Sequence, residues 1–241
     1  MIIIPARLNS SRFENKILVD ILGLPMVIKT AKQVSSLDKV VIATDSNEVI
    51  ELVKSHGFDA VLTSVEHQSG TDRINEAAQK LNISDDEIIV NVQADEPFIE
   101  TDVVKAVFDR VQKVIDNNED IMITSCFKNI SSELADDPNH VKVITDENGN
   151  AIYFSRAKIP YHRDHYENSN YKGHLGIYGF TKKSLQEFCK LKSSKLENIE
   201  KLEQLRAIDN GQKIAMVEVQ SKSFGIDTQE DLDNALRIFN K

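Results

Sequence analysis

The sequence predicts a doubly wound α/β/α sandwich: a mostly parallel sheet covered by helices on both faces, carrying a small antiparallel β excursion. Three observations predict it. Short, almost wholly apolar runs recur through the first half of the chain, as strands buried on both faces of a parallel sheet require. A stretch suited to a helix comes after each run, so strands and helices alternate. After about residue 140 the alternation gives way to more closely spaced strands around turn signals.

Residues 1–6 form the first run, with three consecutive isoleucines. A polar loop comes next, then a helix from about Pro25, proline being suited to a first helical turn. Val40-Val41-Ile42-Ala43 is a second strand, and Asp45 and Glu48 are spaced to cap the helix that runs through Val53. Ala60-Val61-Leu62 is a third, and the polar loop Glu66–Gly70 leads to a helix through Leu81. The fourth strand, 87–92, ends at Gln93-Ala94-Asp95-Glu96-Pro97, with a helix from about Thr101. Residues 121–126 are a further strand.

Segments 141–145 and 151–154 flank Glu147-Asn148-Gly149, a hairpin signal. A strand at 173–180 contains Gly173, Gly176 and Gly179, whose spacing in threes reads as close packing. Helices near 182–190 and 198–209 precede a strand at 214–219. Thr228 and Asp231 are spaced as a capping box for a terminal helix. No linker, repeat or low-complexity segment divides residues 1–241, so one domain is expected.

Composition narrows the function. The chain is 41% hydrophobic and 28% charged, ordinary for a globular protein. A chain this long buries roughly 70–75% of its unfolded surface, a full core without disulfides. Its net charge of −9 argues against a broad nucleic-acid surface. Any anionic ligand must therefore meet a local cluster of cations. Cys126 and Cys189 lack C-x-x-C spacing and read as reduced thiols. The apolar N-terminal run is cut short by Arg7 and is too brief for a signal peptide. No apolar run approaches the ~20 residues of a membrane span. The expectation is a soluble cytoplasmic protein with neither nucleic-acid partner nor membrane insertion.

Two common phosphate motifs are missing: G-x-x-x-x-G-K-S/T, and G-x-G-x-x-G after the first strand. Instead, the first strand opens into a cationic loop bearing Arg7, Arg12 and Lys16. Open α/β sheets bind ligands at the carboxyl ends of their strands. Three cations there suit a polyphosphate, two arginine forks and one mobile lysine charge; alone, they read equally well as a solvated loop. Asp95, just past the fourth strand, and Asp227, at a loop–helix junction, could hold a hard cation. Either could instead cap a helix.

Several stretches carry a resemblance. They are Ile4-Pro5-Ala6-Arg7 with Arg12 and Lys16, Ala43-Thr44-Asp45, His67-Gln68-Ser69-Gly70-Thr71-Asp72-Arg73, Asn91-Val92-Gln93-Ala94-Asp95-Glu96-Pro97 and Tyr153-Phe154-Ser155-Arg156. Further on come 173–179 (Gly-His-Leu-Gly-Ile-Tyr-Gly), 200–206 (Glu-Lys-Leu-Glu-Gln-Leu-Arg), and Gly225-Ile226-Asp227-Thr228 with Glu230-Asp231-Leu232. In this set, in this order and over nearly the whole chain, the sequence resembles the 3-deoxy-manno-octulosonate (Kdo) cytidylyltransferases, or CMP-Kdo synthetases. The first motif is shared by many sugar nucleotidyltransferases. The stretches at 67–71, 174–179 and 202–206 are the specific ones.

The resemblance implies transfer of CMP from CTP to the anomeric hydroxyl of Kdo, releasing pyrophosphate, for lipopolysaccharide synthesis. It implies Mg²⁺ on Asp95 and Asp227, with Lys16 as a third catalytic residue. It implies a nucleotide site from Arg7, Arg12, Lys16, Ser69, Gly70 and Gln93, and an acceptor pocket from Arg156, His174, Tyr178, Glu203 and Gln204. It further implies a homodimer, in which the antiparallel segment of about 150–180 serves dimerisation and walls the sugar pocket.

Three departures from the family pattern stand out. Ala94 replaces a usual glycine, Asp72 replaces a usual glutamate, and Phe13-Glu14-Asn15-Lys16-Ile17-Leu18 replaces Leu-Pro-Gly-Lys-Pro-Leu. Two other readings stay open: a cytidylyltransferase for the 8-amino analogue or a sialic acid, and a CTP-binding regulator without turnover. Retention of both Asp95 and Asp227 argues against the regulator.

Overall fold

The computed structural model describes residues 1–8, 13, 15–163 and 170–239; Arg12 and Glu14 lie outside the described residues. The chain runs through β1 (Ile2–Ala6), a 3-10 turn (Lys16–Leu18), α1 (Met26–Val34), β2 (Val40–Thr44), α2 (Asn47–Ser55), β3 (Asp59–Leu62), α3 (Gly70–Lys80), β4 (Ile88–Asn91) and α4 (Thr101–Asp116). It continues through β5 (Ile123–Ile130), α5 (Ser132–Asp136), β6 (Lys142–Thr145), β7 (Ala151–Ser155) and β8 (Tyr171–Thr181). Last come α6 (Lys182–Lys190), α7 (Lys195–Glu200), α8 (Leu205–Asp209), β9 (Ile214–Glu218) and α9 (Gln229–Phe239).

One mixed sheet has the order β3-β2-β1-β4-β8-β5-β9, with β6 pairing to both β7 and β8. Along that order all pairs are parallel except the two that flank β8. The apolar strand residues divide by pleat, as a two-period element must. Ile2, Ile4, Ile42 and Val90 join Val27, Ile28, Val49, Val53, Val103 and Val107 of α1, α2 and α4 on one face. Ile3, Ala43 and Ile89 join Ile74, Ala77, Leu185, Phe188 and Leu205 of α3, α6 and α8 on the other. The expected α/β/α sandwich is present, and each of its helical layers has its own core.

One feature departs from expectation. β8 is no excursion: it lies in the middle of the sheet, between β4 and β5. Its glycines explain how. A Cβ on Gly179 would come within 2.5 Å of both Thr124 Oγ1 and Val111 Cγ2, and one on Gly173 within 2.7 Å of Ile130 Cγ2. Only glycine lets α4 and β5 approach β8 so closely. The hairpin between β6 and β7 forms as expected, with Gly149 at φ 78° in its turn.

Local capping also differs from the sequence-based expectation in two places. Ser46, not Asp45, caps α2, its hydroxyl accepting from the Val49 N–H. The helix expected over 198–209 is broken at Lys201, whose φ of 53° ends α7 before α8 begins. Thr228 and Asp231 do form the reciprocal bonds of a capping box.

Candidate active site

The strand order reverses between β1 and β4, the switch point where ligands of open α/β sheets bind. There, at the carboxyl ends of the two strands, lies a cleft of about 260 Å³. Pro5, Arg7, Lys16, Ile17, Ser69, Gly70, Gln93, Ala94, Asp95 and Asp227 line it, with His67, Gln68 and Arg73. Every described residue assigned to the nucleotide or the metal by sequence therefore faces one cavity.

Lys16 is the electrostatic centre of the cleft. Its Nζ donates to Asp95 Oδ2 at 2.6 Å and to Asp227 Oδ1 at 2.8 Å. Burial pulls the lysine pKa down, but the two carboxylates outweigh burial and hold the ammonium above its ordinary value. Two acids separated by 132 positions thus converge on one cation. Their hard oxygens suit Mg²⁺, which typically takes one or two carboxylates and completes its shell with water and substrate phosphates. Among the described residues no group of three or more potential metal-binding side chains occurs. Asp95 and Asp227 would leave most of a bound ion's shell to water or to substrate phosphates.

The opposite wall is the start of α3. Ser69 caps the helix, accepting from the Asp72 N–H at 3.0 Å while its hydroxyl donates to Asp72 Oδ2 at 2.9 Å. Gly70 sits so close to β1 that a Cβ would lie 3.1 Å from Pro5 Cγ. Gln93 is oriented by its amide, which donates to Asn91 Oδ1 at 3.3 Å and weakly to Gly176 O.

The residues expected at the acceptor pocket lie outside this cleft. Tyr178 donates its hydroxyl to Gln204 Oε1 at 3.1 Å. His174 packs its ring 5.5 Å from that of Tyr178, and its Nε2 pairs with Ser125 Oγ at 2.9 Å. Burial pushes the His174 pKa down to about 3, so the ring is neutral. Thr71, next to Gly70, donates to Glu203 Oε2 at 2.7 Å, linking this polar set to the cleft wall. Burial pushes the Glu203 carboxyl up. Arg156 stands apart from the other four. Its guanidinium donates to the carbonyls of Pro138, Glu200 and Lys201, which caps the end of α7.

Sequence reasoning did not single out Arg73. Its guanidinium is 3% exposed and bonds Asp45 Oδ2 at 2.8 Å and Thr63 Oγ1 at 2.6 Å. It stands at the end of the 67–73 stretch, but its partners come from the ends of two other strands, which no local spacing reveals.

Comparison with known proteins decides the family. A cytidylyltransferase family model matches residues 1–214. The 3-deoxy-manno-octulosonate cytidylyltransferase of Wolinella succinogenes is 51% identical over 241 residues, 99% of each chain. The chain belongs to the 3-deoxy-manno-octulosonate cytidylyltransferase family. The enzyme of that name from a Nitratiruptor species is 56% identical over 232 residues, 96% of each chain. A solved CMP:2-keto-3-deoxy-manno-octonic acid synthetase complexed with CTP superposes with a TM-score of 0.88 at 36% identity, covering 99% of this chain and 97% of that one.

Asn15, Ala94 and Asp72, three of the departures from the cytidylyltransferase pattern, have structural explanations. Asn15 takes the left-handed conformation, φ 51°, at the position of the usual glycine. Asparagine is among the few residues that tolerate it, and Lys16 N bonds back to Phe13 O at 3.2 Å to close the turn. Ala94 has no positive φ, and its carbonyl accepts from buried Thr30 at 2.9 Å. A methyl is therefore accommodated. Asp72 is long enough to complete the Ser69 cap.

Proposed function

We propose that this cytidylyltransferase joins CTP to Kdo, giving CMP-Kdo and pyrophosphate; its relatives are named 3-deoxy-manno-octulosonate cytidylyltransferases. The observation that carries the reading is the convergence of Lys16, Asp95 and Asp227 in a cleft at the strand switch point. It occurs in a chain aligned end to end with named Kdo cytidylyltransferases.

The reaction is a single displacement. The anomeric oxygen of the sugar acid bonds to the α-phosphorus, the bond from that phosphorus to the bridging oxygen of the β-phosphate breaks, pyrophosphate leaves, and the hydroxyl proton is released. Catalysis of this kind consists of positioning and charge stabilisation. Arg7, Lys16 and Arg12 hold the β- and γ-phosphates and stabilise the departing pyrophosphate. Gln93 and the Ser69-Gly70 turn seat the nucleotide. Asp95 and Asp227 hold Mg²⁺, which when bound supplies charge neutralisation at the α-phosphate and a more acidic sugar hydroxyl. Lys16 then serves the triphosphate rather than the two acids.

His174, Tyr178, Glu203, Gln204 and Arg156 form the acceptor side. The bond from Tyr178 to Gln204, the ring contact of His174 with Tyr178, and the bond to Glu203 from Thr71, next to Gly70, support this for four of them. Arg156 gives three of its five N–H groups to carbonyls, which leaves two for an acceptor carboxylate.

We further propose a cytoplasmic homodimer whose contact includes the segment of about 150–180. Among the described residues Ile152 and Tyr161 of this segment are 54% and 82% exposed, so their apolar surface is available to a contact. No helix among the described residues is long and apolar enough to cross a membrane.

The test is pyrophosphate release with CTP, Mg²⁺ and a panel of Kdo, its 8-amino analogue and a sialic acid. Turnover highest with Kdo supports the reading. Equal or faster turnover with another acid would reassign the acceptor, and no release with any would favour a non-catalytic CTP-binding protein.

A further inference from the structure

Asp95 and Asp227 come from very different surroundings. Asp95 lies just beyond a buried central strand. Asp227 ends the stretch 219–227, which has no helix or strand of its own to hold it. Side chains from the loop after β4 hold that stretch instead. Glu100 accepts from Ser221 Oγ at 2.6 Å and from the Lys222 N–H at 2.8 Å. Glu96, 6% exposed, accepts from fully buried Ser223 at 2.7 Å. Lys128 of β5 donates to the Ser223 carbonyl at 2.7 Å, and Ile226 N bonds Asp95 O at 2.9 Å.

We infer that Glu96 and Glu100 are positioning residues that clamp residues 221–223 and so set Asp227 opposite Asp95. Neither lines the cleft. Both sit on the Asp95 side, one and five residues beyond it. Every tether among these five bonds but that of Lys128 thus originates from the loop that carries the first acid or from the start of α4 directly behind it. The inference rests on the reading of Asp95 and Asp227 as a metal pair. It adds that the pair is a property of the clamp, not of the two acids alone.

The experiment measures Mn²⁺ affinity of the nucleotide-free protein from the free-ion electron paramagnetic resonance signal. The proteins are wild type, Glu100→Ala, Ser223→Ala, Glu96→Gln and Asp95→Asn. Losing one or two hydrogen bonds at the clamp should weaken Mn²⁺ binding by about tenfold in Glu100→Ala and Ser223→Ala. Glu96→Gln keeps an acceptor for Ser223 and should stay within about threefold of wild type, which a requirement for the negative charge would not allow. The Mg²⁺ concentration for half-maximal turnover should rise in the first two variants while kcat at saturating Mg²⁺ is retained. Wild-type Mn²⁺ affinity in Ser223→Ala, with Asp95→Asn impaired, would overturn the clamp and spare the metal pair; Ser223→Ala decides this alone if Glu100→Ala fails to fold. Undiminished affinity in Asp95→Asn would overturn the metal pair and the clamp with it.

Discussion

The Lys16 ammonium stands 2.6 Å from Asp95 Oδ2, and the same nitrogen reaches Asp227 Oδ1 at 2.8 Å. It therefore occupies the place between the acids that the proposed reaction gives to a metal. This gives Lys16 two opposing effects. Without nucleotide, Lys16→Ala removes a competing cation, so Mn²⁺ should bind more tightly than in wild type. With CTP, the same variant loses a charge-assisted phosphate contact of about 1.5–3 kcal/mol, and kcat/KM for CTP should fall roughly tenfold or more. Metal titration and steady-state kinetics check the two signs; the same sign in both would contradict the assignment.

On the acceptor side, Tyr178→Phe removes the hydroxyl that Gln204 accepts, and Gln204→Ala removes the acceptor. A buried polar group left without its partner costs about 1–3 kcal/mol. Each variant should raise KM for Kdo or lower kcat, with KM for CTP within a few-fold of wild type. A variant that weakened CTP and spared Kdo would move these residues into the nucleotide site.

Packing makes a prediction independent of chemistry. Gly179→Ala forces a methyl to within 2.5 Å of Thr124 and Val111, whereas at Gly176 the nearest atom is Gln93 Cγ at 4.0 Å. Overpacking should cost Gly179→Ala about 1–3 kcal/mol in urea unfolding. Gly176→Ala should unfold like wild type.

Behind the cleft, Glu76 contacts His67, Lys80 and the Ser64 N–H. Burial pushes its carboxyl up, but these donors prevail and hold it down at about 2, against 4.5 for an ordinary glutamate. A carboxyl whose folded pKa is depressed stabilises the fold when ionised. The contribution is complete above the unfolded value and is lost as pH falls from about 4.5 toward about 2. After allowance for solvent screening, Glu76→Gln should cost about 1 kcal/mol at neutral pH. Thermal melting of both proteins should show the difference shrink below about pH 4.5; a constant difference from neutral to acid would contradict it.

Much of this was legible in the sequence, for physical reasons that differ by element. β1 and β4 announce themselves because burial on both faces demands unbroken apolar residues. Lys16 and Asp95 could be found because a loop after such a strand opens onto the sheet's binding edge. The central position of β8 could not be found, since a strand with glycines at 173, 176 and 179 does not declare which neighbours approach it. Nor could the pairing of Arg73 with Asp45, or the grip of Glu100 on Ser221, which join residues 28 and 121 positions apart. Arg156 matched a motif, yet its carbonyl partners are set by where α7 ends, which depends on Lys201 taking a left-handed turn.

The most direct test of the central claim is a ³¹P NMR time course with CTP, Kdo and Mg²⁺, on wild type, Asp95→Asn and Asp227→Asn. The account predicts that wild type converts the triphosphate resonances into pyrophosphate and one new phosphodiester in equal amounts. Both variants should remain folded and turn over more slowly by orders of magnitude. Orthophosphate with CDP in place of that pair, or near-normal rates in either variant, would contradict attack at the α-phosphorus supported by this pair of acids.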